Sequence, residues 1–301
     1  LLSLSATPQE ASLTGAIALL ISFITVNYYS TEFIRRLLES VQKSLVADYQ
    51  FIIVNNSPDD DQIQQVNGEN IVILDAGRNL GFGAASNLGL DYVYDRDRHA
   101  IVWLLNPDTW LLEDTLDDVV QFFATHSHLS IVGTMVYEPG GNVWFAGGRF
   151  NRRIGAIIAD RTVPEPCDTG YVACDWVTGC SVLINLQHFD ACPQFDPAYF
   201  LYYEDFDFCR RYFNQGHAIA IARQIAVIHT PSAITDRNPL LKLKHSTYSY
   251  LLTLERYTNG WILGLRLLRV LLYSLVLLPI RPQIAMGKLS GLSLYLGIQG
   301  K

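Results

Sequence analysis

Paired cysteines are missing from this 301-residue chain: the five thiols, Cys167, Cys174, Cys180, Cys192 and Cys209, are odd in number and show no CxxC spacing. That argues against a zinc cage and a disulfide framework and fits reduced thiols in a cytosolic setting. Charge is also scarce, at 17% against 50% hydrophobic residues, which excludes a disordered chain. The net charge of −7 argues against a nucleic-acid binder. No secretory signal is read in the sequence: the apolar stretch 16–26 is too short to span a bilayer and has no basic flank before it. Internal repeats and low-complexity tracts are absent as well. Leu1 is not an initiator methionine, so the true start of the protein is left open.

What is present is enough chain for a large α/β core, as one domain or a domain with an appendage. Its charge is uneven. From Asn238 onward eight Lys/Arg face a single acid, Glu255, a local balance of +7, which leaves −14 on the preceding 237 residues. A basic, leucine-rich tail on an acidic body is the composition of a protein that leans on an anionic membrane.

Residues 17–26 form a continuous apolar run rich in β-branched side chains, as in a parallel strand covered on both faces. Phe33, Ile34, Leu37, Leu38, Val41 and Leu45 then repeat at helical spacing behind Ser30, a candidate N-cap. Strands are expected at 51–54, 71–74 and 101–105, with a polar loop at 55–61 and a helix over 81–94. This β-α-β alternation predicts a mostly parallel sheet with ligands at the strands' carboxyl ends. Beyond Asp108 the pattern predicts a helix at 116–124, a strand at 130–136, loops and hairpins over 138–168 and a strand at 177–184. A helix over 204–215 closed by Gly216, a strand at 218–229 and a helical tail from Leu240 complete the chain.

Several residues could carry chemistry. Gly81-Phe82-Gly83 lacks GxGxxG spacing and follows the third strand rather than the first, so a dinucleotide fingerprint is a poor fit. It reads as a helix N-terminus beside a nucleotide, with Arg78 and Asn79 aimed at phosphate or base, or as a tight strand-to-helix turn. Asn106-Pro107-Asp108 closes a buried-looking strand; Asp108 can ligate a hard cation such as Mg²⁺ or Mn²⁺, while Asn106 offers only a neutral oxygen. An ordinary turn is the alternative. His229 ends an apolar strand as a metal ligand or as a satisfied hydrogen-bond partner. Glu204, Asp205 and Asp207 open a helix, where acids oppose the positive end of the dipole. The aromatic lead-in Tyr199 to Tyr203 should also desolvate them and give a carboxylate a pKa suited to accepting a proton.

At these residues the chain resembles the family 2 glycosyltransferases of GT-A fold, especially their rhamnosyltransferase-like branch. The segments that carry the resemblance are Ile24-Thr25-Val26-Asn27-Tyr28, Val54-Asn55-Asn56-Ser57, Asn79-Leu80-Gly81-Phe82-Gly83-Ala84-Ala85-Ser86-Asn87-Leu88-Gly89 and Leu104-Leu105-Asn106-Pro107-Asp108. Asp175-Trp176-Val177-Thr178-Gly179-Cys180, Phe195-Asp196-Pro197, Phe200-Leu201-Tyr202-Tyr203-Glu204-Asp205-Phe206-Asp207 and Val227-Ile228-His229 follow in the family's order. The resemblance implies an α/β GT-A fold: a Rossmann-like, mostly parallel central sheet flanked by helices, with a C-terminal helical appendage. The division it implies is an extension over 1–15, the glycosyltransferase domain over 16–237 and a basic apolar helical tail over 238–301.

It also implies roles. Asn27, Asn55, Arg78, Asn79 and Asn87 fall where the family grips the nucleotide sugar, together with Asn106 and Asp108. Asp108 and His229 take the metal-ligand positions, for Mg²⁺ or Mn²⁺. Asp205 is the implied catalytic base, with Glu204 beside it, and Trp176 and Gly179 line the donor–acceptor junction. Two departures stand out: Asn106 replaces the first acid of the metal motif, and Asn55 stands where an Asp usually receives the pyrimidine N3–H, which an amide oxygen can still accept. The implied enzyme is an inverting, metal-dependent glycosyltransferase of cell-surface polysaccharide assembly. Its donor would be dTDP-rhamnose or a UDP-sugar. Its acceptor would be a soluble or lipid-linked glycan. A nucleotidyltransferase and a non-catalytic nucleotide-sugar-binding module are the rivals. Oligomeric state, a homodimer included, is left open.

The tail stretch 261–280 has the length of a bilayer span, but Arg266 and Arg269 make crossing costly and the charge-free 270–280 is too short alone. Arg266, Arg269 and Tyr273 fall on one face, at i, i+3 and i+7. The expected state is a helix in the membrane interface, on the inner face of the cell membrane with the body in the cytoplasm; a helix packed on the catalytic domain is the alternative.

Overall fold

Buried β-branched and aromatic side chains determine the centre of the structure, a computed structural model that describes residues 21–44, 49–162, 169–231 and 238–297. β1 (Ile21–Asn27), β2 (Tyr49–Asn55), β3 (Ile71–Asp75) and β4 (Ile101–Leu105) lie parallel in the order β3-β2-β1-β4. Helices α1 (Thr31–Lys43) and α2 (Phe82–Tyr94) make the crossovers. Every residue of β1 and β4 is buried, because helices cover both faces of such a sheet. Trp103 sits fully buried at the centre, stacked on Phe23 at 5.5 Å, and its indole N–H donates to the Ser181 hydroxyl at 3.0 Å. A buried indole thus keeps its hydrogen bond.

After β4 the chain turns through Asn106 and Pro107 into a short strand, β5 (Thr109–Leu111), absent from the sequence-based expectation. Helix α3 (Thr115–Thr125) leads to β6 (Ile131–Tyr137), β7 (Val143–Phe145), and a separate hairpin of β8 (Gly148–Asn151) and β9 (Ala156–Ala159). β10 (Tyr171–Ala173), β11 (Ser181–Asn185), α4 (Glu204–Asn214) and β12 (Ile219–His229) follow. The sheet order is β10-β12-β6-β11-β4-β1-β2-β3, with β5 on β12 and β7 on β6. β11 runs antiparallel between β4 and β6, while β6 and β12 are parallel to each other.

Two expectations need adjustment. The expected strand at 177–184 starts only at Ser181, because its ladder partner β4 has ended: Ser181 pairs with Leu105, and Asn106 N–H donates to the Cys180 carbonyl before Pro107, which has no N–H to donate. Ser30 does precede α1, but its hydroxyl donates to Asn27 Oδ1 instead of capping the helix. The start of the first strand at 17–20, Leu45 and Cys167 lie outside the described residues. Gly216 closes α4 as expected, with φ at 98°.

The tail forms α5 (Pro239–Tyr257), α6 (Gly260–Leu277) and α7 (Pro282–Tyr295). Asn238 and Asn259 cap α5 and α6 through side-chain oxygens that accept from Leu241 N and Ile262 N. Gly287 and Gly291 let α7 close on α5; a Cβ at Gly291 would overlap the Lys244 carbonyl. The first turn of α6 touches the β8–β9 turn at Gly155 and Arg266 donates to the Ile154 carbonyl, while the rest leans on α5 and α7. Among the described residues α6 is the helix long and apolar enough to cross a bilayer, with mean hydropathy 1.7. By contrast α5 is docked on the sheet domain. Asp207, fully buried on α4, accepts from Arg211 Nε at 2.7 Å, Arg256 Nη1 at 3.0 Å and Tyr257 Oη at 2.8 Å. Asp207→Ala leaves two arginines facing a buried gap. The expected cost is about 3 kcal/mol, the low end for breaking a buried pair, since both arginines retain some solvent. A urea melt of the variant measures it.

Candidate functional site

A cleft of about 770 Å³ opens at the carboxyl ends of β1, β2 and β4. Its walls take in Asn79, Asn106, Asp108, Trp176, Gly179, Glu204, Asp205 and His229 together. These side chains are far apart in sequence and arrive on different elements, yet they share one cavity.

Asp108 and His229 are brought together by backbone pairing. β5 is antiparallel to the end of β12, with Thr109 opposite His229, and Thr230 N–H donates to the Asp108 carbonyl at 3.0 Å. Both side chains are buried, and Asp108 Oδ1 lies 3.2 Å from His229 Nε2. That approach is not aligned as a hydrogen bond, and no other donor reaches Asp108 Oδ1. A buried carboxylate oxygen without a donor is costly unless something positive completes it. A carboxylate and an imidazole so placed suit Mn²⁺ or Mg²⁺. Among the described residues no third His, Cys, Asp or Glu joins them, so this pair would supply two ligands and leave the remaining positions to phosphate oxygens and water.

Across the cleft, α4 begins at two adjacent carboxylates. Tyr202 and Tyr203 before it both take left-handed backbone, φ 67° and 65°, a conformation that L side chains rarely adopt. Asp205 Oδ2 accepts from Gly179 N–H at 3.0 Å and Oδ1 from Phe206 N–H at 2.8 Å. Burial raises the Asp205 pKa above the ordinary carboxylate value, and those two donors pull it part of the way back. Glu204 has less help: burial first, then the neighbouring Asp205 charge, hold its carboxyl well above the usual range against one hydrogen bond from its own backbone, and its Oε2 has no partner. Of the two, Asp205 is therefore the more readily ionised carboxylate. Gly179 fits closely: a Cβ there would press on Phe82 at 3.0 Å and reach Asp205 at 3.4 Å.

The other predicted residues divide. Asn79 lines the cleft and its Oδ1 accepts from Gly81 N–H and Asn56 Nδ2. Asn27 and Asn55 do not line it: Asn27 Nδ2 donates to Asn55 Oδ1 and Asp60, and Asn27 Oδ1 accepts from the Ser30 N–H and hydroxyl. They brace the loops beneath. Asn87 spends both ends of its amide on the Phe195 backbone. Arg78 is exposed on the loop before α2, outside the cleft lining. Trp176 packs against Phe145 and Phe206, with its indole laid on Gly148.

Asn56 and Trp144 line the cleft without having been singled out as site residues. Strand alternation could have found Asn56, because if Asn55 points one way at the end of β2, its neighbour points the other. Trp144, 4.7 Å from the His229 ring, comes from a strand too short to signal itself. α5 adds Leu241, Lys242 and Ser246 to the wall, a contribution no local pattern announces.

Comparison with known proteins bears on this geometry. A profile described as "Glycosyl transferase family 2" matches residues 22–174. A Haloferax volcanii protein named low-salt glycan biosynthesis hexosyltransferase Agl10 is 27% identical over 218 residues, 69% of this chain and 66% of the relative, just under two thirds. The N-acetylglucosaminyl-diphospho-decaprenol L-rhamnosyltransferase of Mycobacterium tuberculosis is 22% identical, over 81% of this chain and 87% of its own. In structure, GalNAc-T7 crystallised with UDP, GalNAc and Mn²⁺ superposes with a TM-score of 0.57 at 12% identity, covering 78% of this chain and 48% of that one. The fold is GT-A, and the chain belongs to the family 2 glycosyltransferases.

Proposed function

We propose that this protein is an inverting glycosyltransferase that moves a sugar from a nucleoside-diphosphate donor to a saccharide hydroxyl in cell-surface polysaccharide assembly. The observation that carries the reading is the shared cleft of Asp205 and the Asp108–His229 pair. Rhamnose from dTDP-rhamnose is the favoured donor sugar, since the mycobacterial relative is named a rhamnosyltransferase; a UDP-sugar is the second choice.

Asp205 accepts the proton of the acceptor hydroxyl. The freed oxygen bonds to the anomeric carbon from the face opposite the diphosphate, the carbon–oxygen bond to the diphosphate breaks, and the carbon inverts. The Gly179 and Phe206 N–H groups hold the Asp205 carboxylate in one orientation while leaving a lone pair on each oxygen for that proton. Glu204, the harder of the two to ionise, adds no second negative charge beside the base while it holds its proton. Asp108 and His229 would hold Mg²⁺ or Mn²⁺, which when bound supplies positive charge against the departing diphosphate. Trp176 and the aromatic wall exclude water from the reacting centre, and Asn79 and Asn106 present polar groups to the donor.

Three outcomes test this reading. Asp205→Asn lowers turnover by about 10²–10⁴, the usual worth of a general base, while leaving donor affinity in place; normal turnover removes the assignment. Asp108→Ala abolishes the Mn²⁺ dependence of nucleoside-diphosphate binding, read by calorimetry with and without the ion; unchanged dependence counts against the metal pair. Glu204→Gln, which cannot titrate, gains thermal stability over the wild type as pH rises. The folded wild type holds this proton above the pH at which the unfolded chain, with an ordinary carboxyl near ~4.3, releases it. Wild-type stability from this group is present below that value and is lost as pH rises toward the elevated folded pKa. The difference in Tm should be smallest near pH 4 and largest at pH 8; a constant difference would contradict it.

A further inference from the structure

A second cavity, of about 430 Å³, lies among α5, α6 and α7 and meets the catalytic cleft at Tyr203 and Ser246, which line both. Arg266, Arg269 and Lys288 bring three positive charges to it, and no Asp or Glu lines it. Among the described residues none of the three forms a salt bridge. Arg266 uses one Nη on the Ile154 carbonyl, at 2.7 Å, and Lys288 Nζ sits 5.8 Å from the centre of the Tyr273 ring. Burial lowers the Lys288 pKa, with no neighbouring carboxylate to offset it. Three unpaired cations in a concavity repel one another and are stabilised by an anion of matching charge.

The same helix supplies an apolar surface beside this cavity. Trp261, Leu265, Leu268, Leu272 and Leu275 follow i, i+4, i+7, i+11 and i+14, one face of α6, and each is 50–77% exposed. Arg266, Arg269 and Tyr273 occupy the adjoining face and point into the cavity. Cationic cavity and hydrocarbon-loving stripe therefore lie side by side, and the far wall of the cavity is Tyr203, one residue from Glu204 and two from Asp205.

We propose that this cavity binds the diphosphate of a lipid-linked saccharide acceptor, the hydrocarbon lying along the exposed stripe of α6 and the sugar reaching past Tyr203 to Asp205. The inference rests on the glycosyl-transfer reading above and adds to it the site that seats the acceptor. Two guanidinium forks and an ammonium match a diphosphate, because arginine holds phosphate oxygens in pairs and lysine adds a point charge. The walls shared with the catalytic cleft at Tyr203 and Ser246 favour an acceptor's diphosphate over a phospholipid headgroup, since a headgroup has no sugar to deliver.

The full chain in detergent is titrated with farnesyl diphosphate, and separately with inorganic pyrophosphate and phosphatidylglycerol vesicles. Wild type should bind farnesyl diphosphate more tightly than pyrophosphate, because the stripe adds apolar contact. Arg269→Gln and Lys288→Gln should each weaken that binding by roughly ten-fold or more, the worth of a charge-assisted hydrogen bond. Arg281→Gln, which removes a tail charge outside the cavity, should keep wild-type affinity. Equal affinity in wild type and both cavity variants overturns the proposal. Loss of vesicle binding with no preference for the diphosphate overturns it too, in favour of a headgroup site. Arg269 is exposed, so its variant decides the matter even if Lys288→Gln fails to fold. Binding of nucleoside diphosphate with Mn²⁺ by the wild type is followed in parallel: its absence would sink the glycosyl-transfer reading while leaving farnesyl diphosphate binding to stand or fall alone.

Discussion

Pairing between Thr109–Leu111 and the last residues of β12 is the constraint on which the cleft depends. It is a short antiparallel ladder at the edge of a large sheet, and it holds Asp108 against His229 across more than a hundred residues of chain. Without it, Asp108 would sit on a free turn after Pro107 and His229 would merely finish a strand. Because the link is made by backbone groups, it spends neither the carboxylate nor the imidazole. Two side chains able to ligate are thereby held close, with Asp108 Oδ1 left without a donor, as a cation site would require.

The opposite wall is organised by a different means. Here two neighbouring carboxylates are desolvated together, and Asp205 is given the more backbone donors, with Gly179 and Phe206 N–H among them. That asymmetry makes Asp205 the easier of the two to ionise without any basic side chain. They are placed by two consecutive tyrosines in left-handed backbone, with aromatic packing around them and a close-fitting glycine at 179. The strain sits at the start of the helix that bears the candidate base, which accords with a chain shaped for chemistry at that point.

Much of this was legible from the residues. The parallel strands announced themselves as unbroken apolar runs, and α1, α4 and the tail helices by their spacing. Asp108, Asp205 and His229 stood at strand and helix ends, where a sheet of this kind gathers ligands. What could not be read was held by contacts distant in sequence. β5 is three residues long and exists because β12 lies beside it. The division of labour between Asn55 and Asn56 depends on which face of β2 each presents, and Asn87 is claimed by Phe195, 108 positions away. The cavity between α5, α6 and α7 arises from packing of three helices whose patterns say only that each is helical.

One feature of α5 changes how the chain divides. Composition shifts at residue 238, yet Asn238, Leu241, Lys242 and Ser246 line the catalytic cleft, and Arg256 and Tyr257 close on Asp207 behind Asp205. The apparent appendage is thus a supporting wall. Trimming the protein at 237 to obtain a smaller enzyme would open that side of the cleft to water and take Arg256 and Tyr257 away from a buried acid, so excision at that boundary forfeits the very pocket it was meant to isolate.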